Sequence, residues 1–234
     1  MKRNHACELI LALDVDTKEG AQQLLKKVGN QLKWVKIGLQ LFTRYGPEIV
    51  KEVAGYGFKV FLDLKLHYIP NTVAGAIKSL KELPIDMLTL HVSGGKEMMR
   101  EALKAVVGFK HPVELLGVTV LTSMDEGVLQ STGVNCTPLE QVLRLGQLGA
   151  SAGLKGFVCS PQELKEMRKL LGPEVVLVTP GIRSKGENLH EQKRVMTASE
   201  AVQEGASFIV VGRPISQALD PAVAVGDFLE EIKE

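Results

Sequence analysis

The 234-residue sequence has few cysteines, almost no excess of charge and no long apolar run. Its three cysteines are an odd number without CxxC spacing, which disfavours a disulfide scaffold or a zinc site and indicates a reducing compartment. The net charge of +1 lacks the basic excess of an electrostatic nucleic-acid binder. The first apolar run, Leu9–Leu13, is too short for a signal peptide, and none approaches the ~20 residues of a membrane-spanning helix. We expect a soluble, cytoplasmic protein with no membrane or nucleic-acid partner.

Short apolar segments alternate with longer amphipathic segments along the whole chain. Most apolar segments are continuous runs, which is typical of strands buried on both faces of a parallel sheet. The predicted strands are Leu9–Leu13, Trp34–Ile37, Phe58–Leu62, Met87–His91, Leu115–Val120, Gly156–Cys159, Val175–Val178 and Phe208–Val211. The predicted helices are Lys18–Lys27, Gln40–Gly55, Thr72–Lys81, Glu97–Val107, Leu139–Ala152, Pro161–Leu171, Ala198–Glu204 and Pro221–Lys233.

This alternation predicts an α/β protein, a (β/α)8 TIM barrel that forms a single domain over residues 1–234. The alternative is an open, doubly wound sheet, which usually carries a glycine-rich turn after its first strand. Here the first strand is followed by Asp14-Val15-Asp16 with no GxGxxG motif, which favours the barrel.

Charged side chains follow or interrupt the first three predicted strands. Asp14 ends the first strand, Lys36 lies inside the second, and Asp63 and Lys65 end the third. Residues two apart in a strand share a face, so Asp63 and Lys65 point the same way. A lysine held among carboxylates keeps its proton, which suits a general acid that protonates a carbanion. The alternative is that these residues only form structural ion pairs.

A second polar group follows the last two predicted strands, where barrels of this type commonly bind phosphate. Gly181 and Gly212 permit close approach of the backbone to an anion, and Arg183 and Arg213 suit phosphate oxygens. Gln192 adds a possible side-chain donor. The alternative is that the glycines only shape turns and the arginines are solvated. The histidines show no metal-ligand spacing, so we expect no metal.

Five motifs occur in an order that resembles the orotidine 5′-monophosphate decarboxylases, in their short bacterial form. The Asp-x-Lys segment is shared with other phosphate-sugar barrel enzymes, whereas the combination with the C-terminal motifs is much more specific. The motifs are Leu11-Ala12-Leu13-Asp14, Val35-Lys36-Ile37-Gly38, Phe61-Leu62-Asp63-Leu64-Lys65 with Ile69-Pro70-Asn71-Thr72, Val178-Thr179-Pro180-Gly181-Ile182-Arg183, and Val211-Gly212-Arg213-Pro214-Ile215.

The resemblance implies a cofactor-independent carboxy-lyase that converts orotidine 5′-monophosphate to UMP, the last step of pyrimidine biosynthesis, in a homodimer with shared active sites. It implies three catalytic residues: Lys65 as proton donor to C6, Asp63 beside the substrate carboxylate, and Lys36 holding the array and contacting the ribose. The implied substrate-binding residues are Asp14 at the ribose, Thr122 at the pyrimidine, Arg183, Gln192, Gly212 and Arg213 at the phosphate, and Thr72 from the partner subunit.

One position departs from the family pattern Asp-x-Lys-x-x-Asp. The chain reads Asp63-Leu64-Lys65-Leu66-His67-Tyr68, so Tyr68 stands where the family has an aspartate that reaches across the dimer interface next to Ile69. A phenol with a pKa near 10 is neutral at pH 7, so the array loses a carboxylate. We therefore expect impaired turnover. Two alternatives remain: a related barrel enzyme acting on a sugar phosphate, and a non-catalytic UMP-binding variant.

Overall fold

Eight parallel strands form a closed barrel in the computed structural model, which describes residues 6–183 and 195–233. Each strand pairs with the next, and the last pairs with the first through Leu9 opposite Ile209. The strands are β1 (Glu8–Ala12), β2 (Trp34–Gly38), β3 (Lys59–Leu66), β4 (Met87–His91), β5 (Glu114–Val118), β6 (Gly156–Val158), β7 (Val176–Thr179) and β8 (Phe208–Val211). The predicted barrel is confirmed, and the open sheet is wrong.

Helices connect the strands and cover the outside of the barrel. Within the described ranges they are α1 (Lys18–Val28), α2 (Leu39–Tyr45), α3 (Pro47–Gly55), α4 (Pro70–Ser79), α5 (Gly95–Val106), α6 (Glu126–Ser131), α7 (Pro138–Ala152), α8 (Leu164–Leu171), α9 (Ala198–Glu204), α10 (Arg213–Ser216) and α11 (Pro221–Glu231). In the same ranges, no helix combines the length and the apolar character needed to cross a bilayer.

The single helix predicted over Gln40–Gly55 is wrong, because the structure divides it at Gly46. The φ angle of Gly46 is 60°, a left-handed value that ends α2, and Pro47 then begins α3. Proline suits a first helical position because its missing N–H needs no partner there. The short helices α6 and α10 were not predicted. The loops after β5 and β8 therefore contain more helix than the sequence indicated.

The interior of the barrel is apolar at its floor and polar at its mouth. Ile10, Trp34, Phe61, Met87 and Leu116 belong to the cluster that fills the interior. A second, larger cluster lies between the outer face of the strands and the helices. Because side chains alternate between these two layers, the inward-facing residues beyond the apolar floor lie at the carboxyl ends of the strands.

Candidate active site

A cavity of about 530 Å³ opens at the carboxyl ends of the strands. Its floor is apolar, and charged side chains occupy two parts of its wall. The β1–β3 part carries the acidic and lysine side chains, and the β7–β8 part carries the arginines. Among the residues lining it are Asp14, Lys36, Asp63, Lys65, Thr122, Gly181, Arg183, Gly212 and Arg213. A cavity of this size suits a nucleotide-sized ligand.

The four charged residues predicted from the first three strands form one ion-pair chain. Asp14 Oδ1 lies 3.2 Å from Lys36 Nζ, and Lys36 Nζ lies 3.5 Å from Asp63 Oδ2. Lys65 Nζ donates to both oxygens of Asp63, at 2.8 and 2.7 Å. The chain alternates in charge, so the four formal charges cancel.

Burial and charge act in opposite directions on the inner members of this chain. Burial alone lowers the pKa of Lys36, but the charges of Asp14 and Asp63 outweigh it, so the pKa of Lys36 is raised. Burial alone raises the pKa of Asp63, but the charges of Lys36 and Lys65, with hydrogen bonds from Lys65 and Thr89, outweigh it, so the pKa of Asp63 is lowered. Both groups are therefore ionised at neutral pH.

The backbone of Lys65 adopts a conformation that is rare for a residue with a side chain. Its φ angle is 51°, and within residues 6–183 and 195–233 it is the only non-glycine residue with positive φ. A left-handed conformation costs about 1–2 kcal/mol for such a residue. Strain of this kind is commonly found at functional sites.

The β7–β8 part of the cavity has the features of an anion site. Gly181 has a φ angle of 85°, which lets the chain turn sharply after β7. Arg183, two residues later, is 7% exposed, and its Nη1 donates to the Ile182 carbonyl at 2.7 Å. Gly212 and the half-buried Arg213 follow β8 on the same rim. Gln192 lies outside the described residues.

The structure separates the predicted cross-subunit residues from the cavity of their own chain. Tyr68 and Ile69 follow β3 and are 65% and 62% exposed, and Thr72 is exposed in the first turn of α4. None of the three is among the described residues that line the cavity. Thr122 does line it, from the loop after β5.

Sequence reasoning missed three residues of the site. Gly38 leaves room for the ion pair, because a Cβ there would lie 3.1 Å from Lys36 Nζ. Gln217 lines the cavity just beyond α10. Thr89 is fully buried and hydrogen-bonded to both Asp63 and Lys65. A signal existed for Thr89, because it is a polar residue inside an apolar strand, two residues before His91 and therefore on the same face.

The chain is similar to known proteins over most of its length. The family model described as "Orotidine 5'-phosphate decarboxylase / HUMPS family" matches residues 8–228. The chain is 51% identical over 228 residues to an orotidine 5'-phosphate decarboxylase of Opitutus terrae, covering 97% of this chain and 99% of the relative. It is 48% identical over 216 residues to the protein of that name from Actinobacillus succinogenes, covering 92% and 93%.

A solved structure shows the same similarity. The crystal structure of orotidine 5'-phosphate decarboxylase from Lactobacillus acidophilus matches with a TM-score of 0.86 and 36% sequence identity, and the match covers 100% of both chains. The similarity therefore extends to the whole barrel, including the strands that carry the charged residues.

Proposed function

Because the chain belongs to the orotidine 5'-phosphate decarboxylase / HUMPS family, we propose that its cavity holds orotidine 5′-monophosphate while the molecule loses CO2 and becomes UMP. The reaction is that of a cofactor-independent carboxy-lyase. One observation carries the assignment to this cavity. Lys65, hydrogen-bonded to both oxygens of Asp63, occupies one wall, and Arg183 and Arg213 line the cavity from the segments that follow β7 and β8. A proton donor and a phosphate grip thus face the same space.

In the proposed reaction, the bond between C6 and the carboxylate breaks and its electron pair stays on C6. The Lys65 ammonium donates a proton to C6, giving UMP, and the neutral amine then regains a proton from water. Asp63 lies beside the substrate carboxylate and holds Lys65 in its charged form. General acids of this kind contribute roughly 10²–10⁴ to the rate.

The remaining side chains bind the parts of the nucleotide that do not react. We assign the ribose to Asp14 and Lys36, which lie 3.2 Å apart at the rim, and the pyrimidine edge to Thr122. We assign the phosphate to the β7–β8 rim, because guanidinium groups bind phosphate oxygens in a fork geometry. Its proposed ligands are Arg183, Gln192, Gly212 and Arg213.

We propose that the protein is a homodimer with shared active sites. Tyr68 and Ile69 expose more than half of their surface beside the mouth of the barrel, which is unusual for adjacent large side chains unless a partner covers them. Thr72 lies in the next turn and would reach the ligand of the partner subunit. Sedimentation at micromolar concentration should show a dimer, and a monomer with or without UMP would contradict the proposal.

The same segment explains why we expect slow turnover. At the partner's site Tyr68 would present a neutral phenol in place of the family's carboxylate. The wild-type protein would then be an impaired enzyme. We propose a cytoplasmic location for it, because the cysteine pattern indicates a reducing compartment. Tyr68→Asp should raise kcat by at least about 10²-fold, the typical effect of one preorganised electrostatic contact, and should change UMP affinity much less.

The experiment is an absorbance assay of orotidylate consumption by the wild-type protein and Tyr68→Asp. Tyr56→Asp is the matched control, because Tyr56 follows α3 near the floor of the barrel and the same substitution there should leave kcat unchanged. Equal kcat for wild type and Tyr68→Asp would remove this position from the array. UMP binding without CO2 release in any variant would indicate a nucleotide-binding protein, and magnesium-dependent turnover of a keto-sugar phosphate would indicate the related activity.

A further inference from the structure

The pairing of β3 with β4 is interrupted next to the proposed proton donor. Leu62 pairs with Leu88, but the next pair is Leu66 with Leu90. Three residues of β3 therefore lie opposite one residue of β4, which is Thr89. This bulge interrupts the regular ladder at the segment that carries Asp63 and Lys65, so something other than the ladder must fix their positions.

The Thr89 hydroxyl bridges the two ends of this bulge. Its Oγ1 accepts a hydrogen bond from the backbone N–H of Lys65 at 2.9 Å and donates one to Asp63 Oδ1 at 2.9 Å. A hydroxyl has one donor and two acceptor positions, so one group serves both bonds. Thr89 is fully buried, which keeps water from replacing it at either partner.

We propose that Thr89 is a positioning residue for proton transfer, holding the left-handed backbone of Lys65 and the carboxylate of Asp63 in one fixed relation. Its importance for the reaction rests on the proposed function, whereas its hold on the bulge rests on the geometry alone. The Lys65 backbone is strained, and a hydrogen bond to its N–H opposes relaxation toward regular strand. At the same time, the bond to Asp63 fixes the carboxylate onto which Lys65 Nζ folds back. Misplacement of a reacting group by about 1 Å can cost about 10²-fold in rate.

Three variants separate this role from simple structural support. Thr89→Val keeps the shape and removes the hydroxyl, and Thr89→Ser keeps the hydroxyl and removes the methyl group. Thr119→Val is the matched control, because Thr119 is also a buried threonine that donates to a backbone carbonyl, Val158 O, at 2.9 Å. Thr119 is not among the described residues that line the cavity.

Each variant is measured for kcat with orotidine 5′-monophosphate, for UMP affinity, for Tm and for hydrogen exchange at the Lys65 amide. We expect Thr89→Val to lose at least tenfold in kcat, to keep UMP affinity within about threefold, and to lose protection at the Lys65 amide. Thr89→Ser should restore kcat and protection. Thr119→Val should keep kcat, even where its Tm falls as far as that of Thr89→Val.

Unchanged kcat in Thr89→Val, or an equal loss in Thr119→Val, would overturn the positioning role. Absence of decarboxylation in the wild-type protein would instead overturn the proposed function. In that case hydrogen exchange at the Lys65 amide still tests whether Thr89 fixes the bulge. Faster exchange in Thr89→Val with normal exchange in Thr89→Ser supports this structural role, and unchanged exchange in Thr89→Val refutes it.

Discussion

Replacing Lys65 by alanine is the most direct test of the proposed chemistry, because the substitution removes the proposed proton donor and half of the positive charge in the ion-pair chain. Asp63 then keeps Lys36 at 3.5 Å and the hydrogen bond from Thr89. The formal charge of the four positions falls from zero to −1. The substrate carboxylate and the carbanion would therefore meet an unbalanced negative charge.

The expected loss follows from two effects of the same ammonium group. General acid catalysis contributes about 10²–10⁴. A unit charge about 4 Å from the reacting carbon is worth about 4 kcal/mol at an effective dielectric constant of about 20, which corresponds to about 10³ in rate. Because both effects come from one group they do not simply multiply, and we expect kcat to fall at least about 10³-fold. UMP affinity should change less than about fivefold, since the proposed phosphate ligands follow β7 and β8 and not β3.

The absorbance assay is run on Lys65→Ala in the wild-type background and in Tyr68→Asp, where the expected faster turnover would widen the measurable range. Lys59→Ala is the matched control: Lys59 begins the same strand at the floor of the barrel, where it lies 5.0 Å from the Trp34 ring. It should keep kcat. A loss of less than tenfold in Lys65→Ala, with UMP still bound, would refute the assignment of Lys65 as proton donor.

Two further variants test the phosphate grip and the ion-pair chain. Arg213→Ala should weaken UMP binding at least tenfold in titration calorimetry. A charge-assisted hydrogen bond contributes about 1.5–3 kcal/mol, and about 1.4 kcal/mol corresponds to a factor of ten in the dissociation constant. An unchanged affinity would exclude Arg213 from the site. Asp63 has a lowered pKa in the folded protein, so its contribution to stability is present above the unfolded pKa of about 3.9 and is lost as the pH falls through the folded value. Chemical denaturation should therefore show a smaller acid-induced loss of stability in Asp63→Asn than in wild type between pH 6 and pH 2, and equal slopes would contradict this.

The barrel was predictable because its signal is local and repeated. The strand Met87–His91 and the strand Phe208–Val211 have the predicted bounds, since each is an apolar run between polar segments. The mouth of the barrel was predictable for the same reason, because polar residues that end parallel strands meet at one edge. The convergence of Asp14, Lys36 and Asp63 follows from this rule and from the order of the strands.

The conformation of Lys65 and of the strand around it was not predictable from local patterns. Spacing alone places Asp63 and Lys65 on one face of a regular strand, but the structure shows a bulge and a positive φ angle at Lys65. Both occur where β3 pairs with β4, and the Thr89 hydroxyl that accepts the Lys65 N–H there is 24 residues away in sequence. Local propensity carries no information on such a contact. The break at Gly46 is different, since the Gly46-Pro47 pair is a recognisable helix boundary that was overlooked.

Tyr68 should affect both kcat and KM, because of the charges that surround the substrate. Asp14, Lys36, Asp63 and Lys65 already cancel within one chain, so the substrate carboxylate arrives as an extra negative charge beside Asp63. The family's second aspartate would add a further negative charge. That charge would repel the substrate carboxylate in the ground state, and the repulsion would end once CO2 leaves. With Tyr68 the repulsion of the substrate carboxylate is weaker, so the substrate binds with less strain. Less repulsion is then relieved when the bond to CO2 breaks, and the transition state is stabilised less. Tyr68→Asp should therefore raise KM for orotidine 5′-monophosphate along with kcat, while the affinity for UMP, which has no carboxylate, stays nearly constant. A rise in kcat at unchanged KM would mean that the aspartate acts only in the transition state, by orienting Lys65.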